Sequence, residues 1–262
     1  MEHFDDLRTY KGNSAQFEFY RDMHKNQTYQ FVRNKLHKYK SSYNRTLHMN
    51  EVLSQMDNFI DISDPDTDEP NSFHAYQTAE AIRKREPDNK SLQLCGLIRG
   101  LGKILFAFGE PAWAVVGDTY VVGCKFPETI VYYNTMIENP DIKDDLFSSK
   151  YGIYQPNCGI ENLMLTAGHD EYLYSVLERN NNHSFPEMYK NVIRFHSFDP
   201  WHTAGSYREF MKPEDDEILK NVQNFNKYDL YSKADAFFIV TDDIKEYYNN
   251  LINEYFPEPL LW

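Results

Sequence analysis

Basic residues are scarce in this chain: 27 Lys and Arg stand against 40 Asp and Glu, a formal net charge of −13 in 262 residues. A phosphate-backbone partner needs a basic face, so nucleic-acid binding is excluded as a function class. The acidity is spread along the chain and describes a solvated surface, not a charged tail. Cysteine is scarce as well. Cys95, Cys124 and Cys158 are an odd number without metal-ligand spacing, which predicts reduced, packed thiols. No run approaches ~18 apolar residues, so no membrane-spanning helix is expected. Met1 to Asp6 are polar and acidic, with no apolar signal core. These gaps lead to the expectation of a soluble, cytoplasmic protein. No internal repeat is seen, and no CxxC or HExxH motif marks a local metal site.

What the chain does have is aromatic bulk. Hydrophobic residues reach only 41%, but 20 Tyr and 18 Phe supply large buried area per residue. At this length a sizeable core forms. We expect one domain over residues 1–262, with 1–12 as an N-terminal arm. Apolar residues recur at helical spacing from Ala15 to Tyr39, with Phe17, Tyr20, Phe31, Val32 and Leu36 facing inward and a break near Asn26. Asn50 is a candidate cap for a short helix through Val52, Leu53, Met56 and Phe59. Asp61 to Pro70 is too rich in Pro, Ser and Asp for a regular element. Asn71 or Ser72 then caps a helix through His74, Thr78 and Ile82.

The clearest 3.6-residue period runs through Leu94, Leu97, Ile98, Leu101, Ile104, Leu105 and Phe108. Gly96, Gly100 and Gly102 lie off that stripe. Each costs a helix ~1 kcal/mol relative to Ala, so close packing against that face is expected. Val115 to Val122 is the one β signal and predicts a small hairpin. Further helices are expected through Leu163, Thr166, His169, Tyr172 and Leu173; from Glu187 to Pro200; from Pro213 through Phe225 and Asp229; and from Thr241 or Asp242 through Ile244, Tyr248, Leu251 and Tyr255. The fold class is therefore all-α, with about nine or ten helices and one small β-hairpin.

Five polar residues fall on inward or packing faces of different helices: His74, Arg99, His169, His196 and Asp229. A lone histidine on an apolar face is more often a satisfied core residue than a ligand. Three histidines and an aspartate on separate helices bring a metal site to about even odds.

The segment from Leu94 to Lys103 (LCGLIRGLGK) resembles the HD helix of the myo-inositol oxygenase family. Further blocks resemble that family in order and spacing. They include Asp64-Pro65-Asp66 with Pro70 to Ala75, Phe108 to Thr119, Tyr154 to Pro156 with Cys158-Gly159, and Gly168 to Tyr172. Ile193 to Phe198, Pro200 to Thr203 and Phe225 to Tyr231 continue the pattern. The resemblance implies a divergent HD-domain helical fold with two irons, an oxidoreductase that cleaves the ring of myo-inositol with O₂ to give D-glucuronate. It implies His74 and Asp229 on one iron and His169 and His196 on the other. It places Lys103 beside the substrate oxygen as the catalytic lysine. Arg8, Asp61, Ser63, Lys103, Gly117, Asp118, His196, Ser197 and Lys233 become the polyol-binding set. Such a mixture suits hydroxyls, which both donate and accept. Asp170 follows His169 but points ~100° away in a regular helix, so it is assigned a supporting role at most. A monomer is expected, with no membrane partner.

The family has His-Asp where this chain has Arg99-Gly100. Two iron ligands are therefore lost, one of them the carboxylate that joins the metals. Arginine stays protonated and offers no acceptor. At ~5 Å and an effective dielectric of ~20, a divalent ion and a guanidinium repel by roughly 6–7 kcal/mol. The guanidinium is instead suited to pair with Asp229 and replace a missing cation. We expect impaired or absent turnover. An active oxygenase with a rearranged iron site and a non-enzymatic polyol- or partner-binding protein stand as alternatives. An HD-type phosphohydrolase is weaker, because it too needs the doublet. A guanidinium in the pocket also raises a preference for a sugar acid over neutral inositol.

Overall fold

In the computed structural model, which describes residues 14–41, 43–63, 70–232 and 238–262, the first helical stretch breaks where its sequence predicts. Helix α1 spans Ser14–Asn26 and α2 Tyr29–Ser41. The expected arm at 1–12 lies outside the described residues. Helix α3, Met49–Gln55, begins one residue before its expected cap Asn50. His48 takes that place, its backbone N–H donating to Glu51 Oε2 at 2.6 Å. A 3₁₀ turn, Met56–Asn58, follows. Helix α4, Asn71–Arg85, opens after Pro70. Asn71 is not a cap: its amide donates to the carbonyls of Met56 and Phe59 instead.

The long periodic stretch divides at the Arg99-Gly100 doublet. Helix α5 covers Lys90–Ile98, and a 3₁₀ turn continues over Leu101–Phe106. The apolar stripe survives the change because both forms keep near-threefold spacing. Helix α6 is His169–Arg179, α7 Glu187–Phe195 and α8 Asp199–His202. Two expectations are corrected here. Leu163 and Thr166 precede α6 instead of lying within it, and Pro200 opens α8, where its missing N–H is harmless, instead of ending α7. Helix α9 is Asp215–Ser232, and α10 is Asp242–Tyr255, starting at one of the two expected positions with Thr241 as its cap.

Val115 to Val122 forms no hairpin. Its hydrogen bonds go to a distant segment: Val115 O accepts from His169 N, Tyr120 O from Thr166 N, and Val122 N donates to Met164 O, at 2.8 to 3.0 Å. The small antiparallel sheet lies elsewhere, pairing β1, Thr46–Leu47, with β2, Leu260–Leu261. The protein is thus mostly helical, as expected, around one buried core that runs from Phe19 to Trp262. No helix among the described residues is long and apolar enough to cross a membrane.

Two glycines of the periodic stretch answer to close packing, and the third does not. A Cβ at Gly96 would meet Ile82 Cδ1 at 2.8 Å, where α5 lies on α4. One at Gly102 would stand 2.0 Å from the His169 carbonyl oxygen, where the 3₁₀ turn backs onto the start of α6. One at Gly100 would find only Lys103 Cε, 4.0 Å away. Gly102→Ala is therefore expected to destabilise the protein by about 3 kcal/mol or more, because backbone must move. Gly100→Ala, at a negative φ, is expected to change stability by less than about 1 kcal/mol. Urea unfolding of both variants checks the contrast, and equal effects would contradict it.

Candidate functional site

Elements far apart in sequence converge on one polar cavity of about 120 Å³. Its wall includes Asp61, Ser63, His74, Arg99, Gly100, Lys103, Gly117, Asp118, His169, His196, Ser197 and Asp229. Every residue assigned to a site from the sequence lines this cavity, apart from Arg8 and Lys233, which lie outside the described residues. His74 comes from the first turn of α4, Arg99 from the end of α5 and Lys103 from the following 3₁₀ turn. His169 is the first residue of α6, His196 follows α7, and Asp229 lies on α9. Gly117 has a φ of +103° and backs onto Met23 and Phe19, so its loop can approach that closely only as glycine.

Arg99 bridges to Asp229, with Nη2 donating to Oδ1. Its Nη1 donates to Gly96 O at 2.6 Å. Thr78 Oγ1 lies 3.5 Å from the same Asp229 oxygen. The pairing expected from charge is present. The two-pronged contact with a sugar carboxylate is not supported, because both guanidinium prongs are engaged within the protein.

Lys103 is held on the opposite side, Nζ lying 2.8 Å from Asp61 Oδ2 and 3.0 Å from Asn71 Oδ1. Ser63 donates to Asp61 Oδ1 through its backbone N–H at 3.0 Å and its hydroxyl at 2.5 Å. Burial pushes the Asp61 carboxyl up, but the charge and hydrogen bond of Lys103, with the Ser63 hydroxyl, more than reverse this and bring it to about 2. Asp118 accepts from Tyr20 Oη at 3.3 Å.

The histidines bear on whether this wall fits a metal. His169 Nδ1 lies 2.9 Å from Val115 O, and His196 Nδ1 lies 2.8 Å from Ile193 O. Each ring thus donates its Nδ1–H to a backbone carbonyl, the arrangement that orients metal-ligating imidazoles. Their centroids are 5.8 Å apart. Asp170 completes a buried group with them, one ligand atom from each lying within 4.8 Å of the others. Neither ring nitrogen of His74 has a hydrogen-bond partner among the described residues, although both are buried. That is costly unless a ligand completes the ring. His169, His196 and His74 therefore fit a metal. Asp229, already paired with a guanidinium, and Gly100, with no side chain, do not.

Two contributors escaped the sequence. The angle between adjacent helical residues gives Asp170 a supporting role at most. That reasoning holds inside a helix, but His169 begins α6, and Asp170 Oδ1 stands 2.8 Å from His169 Nε2. Asn71 serves Lys103, which no periodicity announces.

Fold and pocket together define an all-α protein with a polar small-molecule cavity and a histidine–aspartate group suited to a metal. The chain belongs to the myo-inositol oxygenase family of oxidoreductases, whose sequence profile matches residues 13–262. It is 45% identical over 247 residues to inositol oxygenase of Mus musculus, covering 94% of this chain and 86% of that one. Inositol oxygenase of Danio rerio is 44% identical over 247 residues, covering 94% and 88%. Inositol oxygenase 1 of Arabidopsis thaliana is 46% identical over 248 residues, covering 94% and 79%.

The Asp61 geometry fixes a pH dependence. Its folded carboxyl titrates near 2, below the ordinary 3.8. Between these values the unfolded chain binds the proton first, so the stabilisation is complete above about pH 4 and is lost as pH falls toward 2. Asp61→Asn is expected to cost on the order of 2 kcal/mol near neutrality, with the gap to wild type narrowing below pH 4. Denaturant unfolding at pH 3, 4 and 6 measures it. A gap that widens in acid would contradict the assignment.

Proposed function

We propose that the cavity binds a cyclic polyol, with myo-inositol as the first candidate, and that oxidative turnover of it by this chain is lost or severely impaired. The observation behind this reading is the Arg99–Asp229 ion pair on the cavity wall. By the family pattern Asp229 is an iron ligand. Here its carboxylate serves a guanidinium, and displacing that cation would separate two partly buried charges. Two irons would supply O₂ activation in the family's ring cleavage. This chain offers His74, His169 and His196 toward them, but no carboxylate at Gly100 to join a pair.

The polyol half of the site is better preserved. Hydroxyl groups need partners that donate and accept at close spacing. Asp118 accepts, the Ser63 and Ser197 hydroxyls do both, and Lys103 donates from a position fixed by Asp61 and Asn71. Fixed partners matter because each neutral hydrogen bond adds only ~1 kcal/mol net. In the family reaction Lys103 would hold or move a proton at the substrate oxygen. Arg8 and Lys233 complete the polyol set by resemblance. We assign the protein to the cytoplasm, as a single-domain monomer.

A second reading, an active oxygenase with a rearranged iron site, is favoured by one observation: the His169–Asp170–His196 group. Restoring the doublet separates the two. Gly100 has room for a side chain and a negative φ, so Arg99→His with Gly100→Asp fits the backbone. The double variant, supplied with iron and O₂, is expected to form glucuronate from myo-inositol at least ~100-fold faster than wild type, with each single change well below this because ligands act as a unit. Wild-type turnover equal to the double variant would establish the rearranged site instead.

A further inference from the structure

We propose that this chain holds one ferrous ion on His169, Asp170 and His196, while the Arg99 guanidinium takes the place of a second cation. The proposal rests on the reading that Asp229 is withdrawn from metal binding. Asp170 is the new element. Its Oδ1 lies 2.8 Å from His169 Nε2. Two ligand atoms at ~2.1 Å from one ion, at right angles, stand ~3 Å apart, so this spacing suits a shared metal. The same oxygen is 3.5 Å from His196 Nδ1, which places the carboxylate between the two rings.

Asp170 is buried, with the side chains of His169 and Ser197 beside its carboxylate. The residue is 3% exposed. Among the described residues, Oδ1 accepts no aligned hydrogen bond, although Thr119 Oγ1 reaches Oδ2 at 3.4 Å. A buried carboxylate between imidazoles favours a cation. Val115 O holds His169 Nδ1 and so turns Nε2 of that ring toward Asp170, and one ligand atom from each of His169, Asp170 and His196 lies within 4.8 Å of the others. Two histidines and one carboxylate with open positions are the ligand set of mononuclear non-haem iron(II), and they favour it over the harder magnesium and calcium. A second ion on the Asp229 side would meet the guanidinium that Asp229 already binds.

The test is anaerobic equilibrium dialysis of the full chain against iron(II), with elemental analysis and circular dichroism on every sample. One iron per folded chain is expected. His169→Ala, Asp170→Asn and His196→Ala are each expected to weaken binding by at least ~100-fold. His74→Ala is expected to leave one iron bound, and the double change Arg99→His with Gly100→Asp to raise the number to two. Nitric oxide added to the wild-type iron protein should give the half-integer-spin signal of an isolated ferrous centre. Two irons in wild type, none in folded wild type, loss with His74→Ala, or full retention with Asp170→Asn would each overturn the proposal. Calorimetry with myo-inositol on metal-free protein keeps the polyol reading separate. Inositol binding without any iron uptake sinks the single-ion site alone, and iron uptake without inositol binding sinks the polyol reading alone.

Discussion

The guanidinium of Arg99 carries a charge that no attainable pH removes, and it is fixed on the wall of the cavity by Asp229 and by the Gly96 carbonyl. Much of the surrounding structure follows from that one constraint. The Gly96 carbonyl belongs to the last turn of α5, where backbone acceptors lack helical partners and the helix dipole favours a cation. Arg99 satisfies both demands from the position that ends the helix. The chain then tightens into a 3₁₀ turn, which carries Lys103 toward Asp61 and Asn71. With Thr78 of α4 reaching the same Asp229 oxygen, α4, α5 and α9 are tied at one point. A partly buried pair of this kind adds little net stability, but removing one partner strands the other.

Where burial alone decides, the sequence was legible. The break at Asn26, the apolar stripe through Phe108 and the Thr241 cap all announce themselves in spacing and residue type. Gly96 and Gly102 were legible too, since an unfavourable glycine in a periodic helix implies a neighbour that needs the space. Periodicity reports which face is buried and says nothing of where backbone hydrogen bonds end. Val115 to Val122 looked like a hairpin because it is β-branched and interrupted by Gly-Asp. Its amides and carbonyls instead find Met164, Thr166 and His169.

The same limit hid Asp170. The start of α6 was set too early, so His169 and Asp170 were treated as interior helical neighbours with diverging side chains. At a helix start the two can converge, and only the position of Gly168 as the cap reveals which case applies. Resemblance brought His74, His169, His196 and Asp229 together before any geometry was known, but it could not say how Arg99 would be used. Charge could: a guanidinium suits the Asp229 carboxylate, and the two are paired.

Electrostatic balance bears on the Arg99-Gly100 doublet. A neutral histidine, an aspartate and a divalent ion together carry one positive charge. An arginine and a glycine carry one positive charge as well. Were the family's doublet replaced by Arg99-Gly100 together with the loss of one ion, the net charge against Asp61, Asp118, Asp199 and Asp229 on the cavity wall would be conserved. Asp229 faces the Arg99 guanidinium and Asp61 faces the Lys103 ammonium. The wall nonetheless has four aspartates against Arg99 and Lys103 among its described residues, and both cations are engaged. A sugar carboxylate would enter a field of its own sign, whereas a neutral polyol pays no such penalty. A guanidinium supplies positive charge on that wall, but no open coordination position and no electrons.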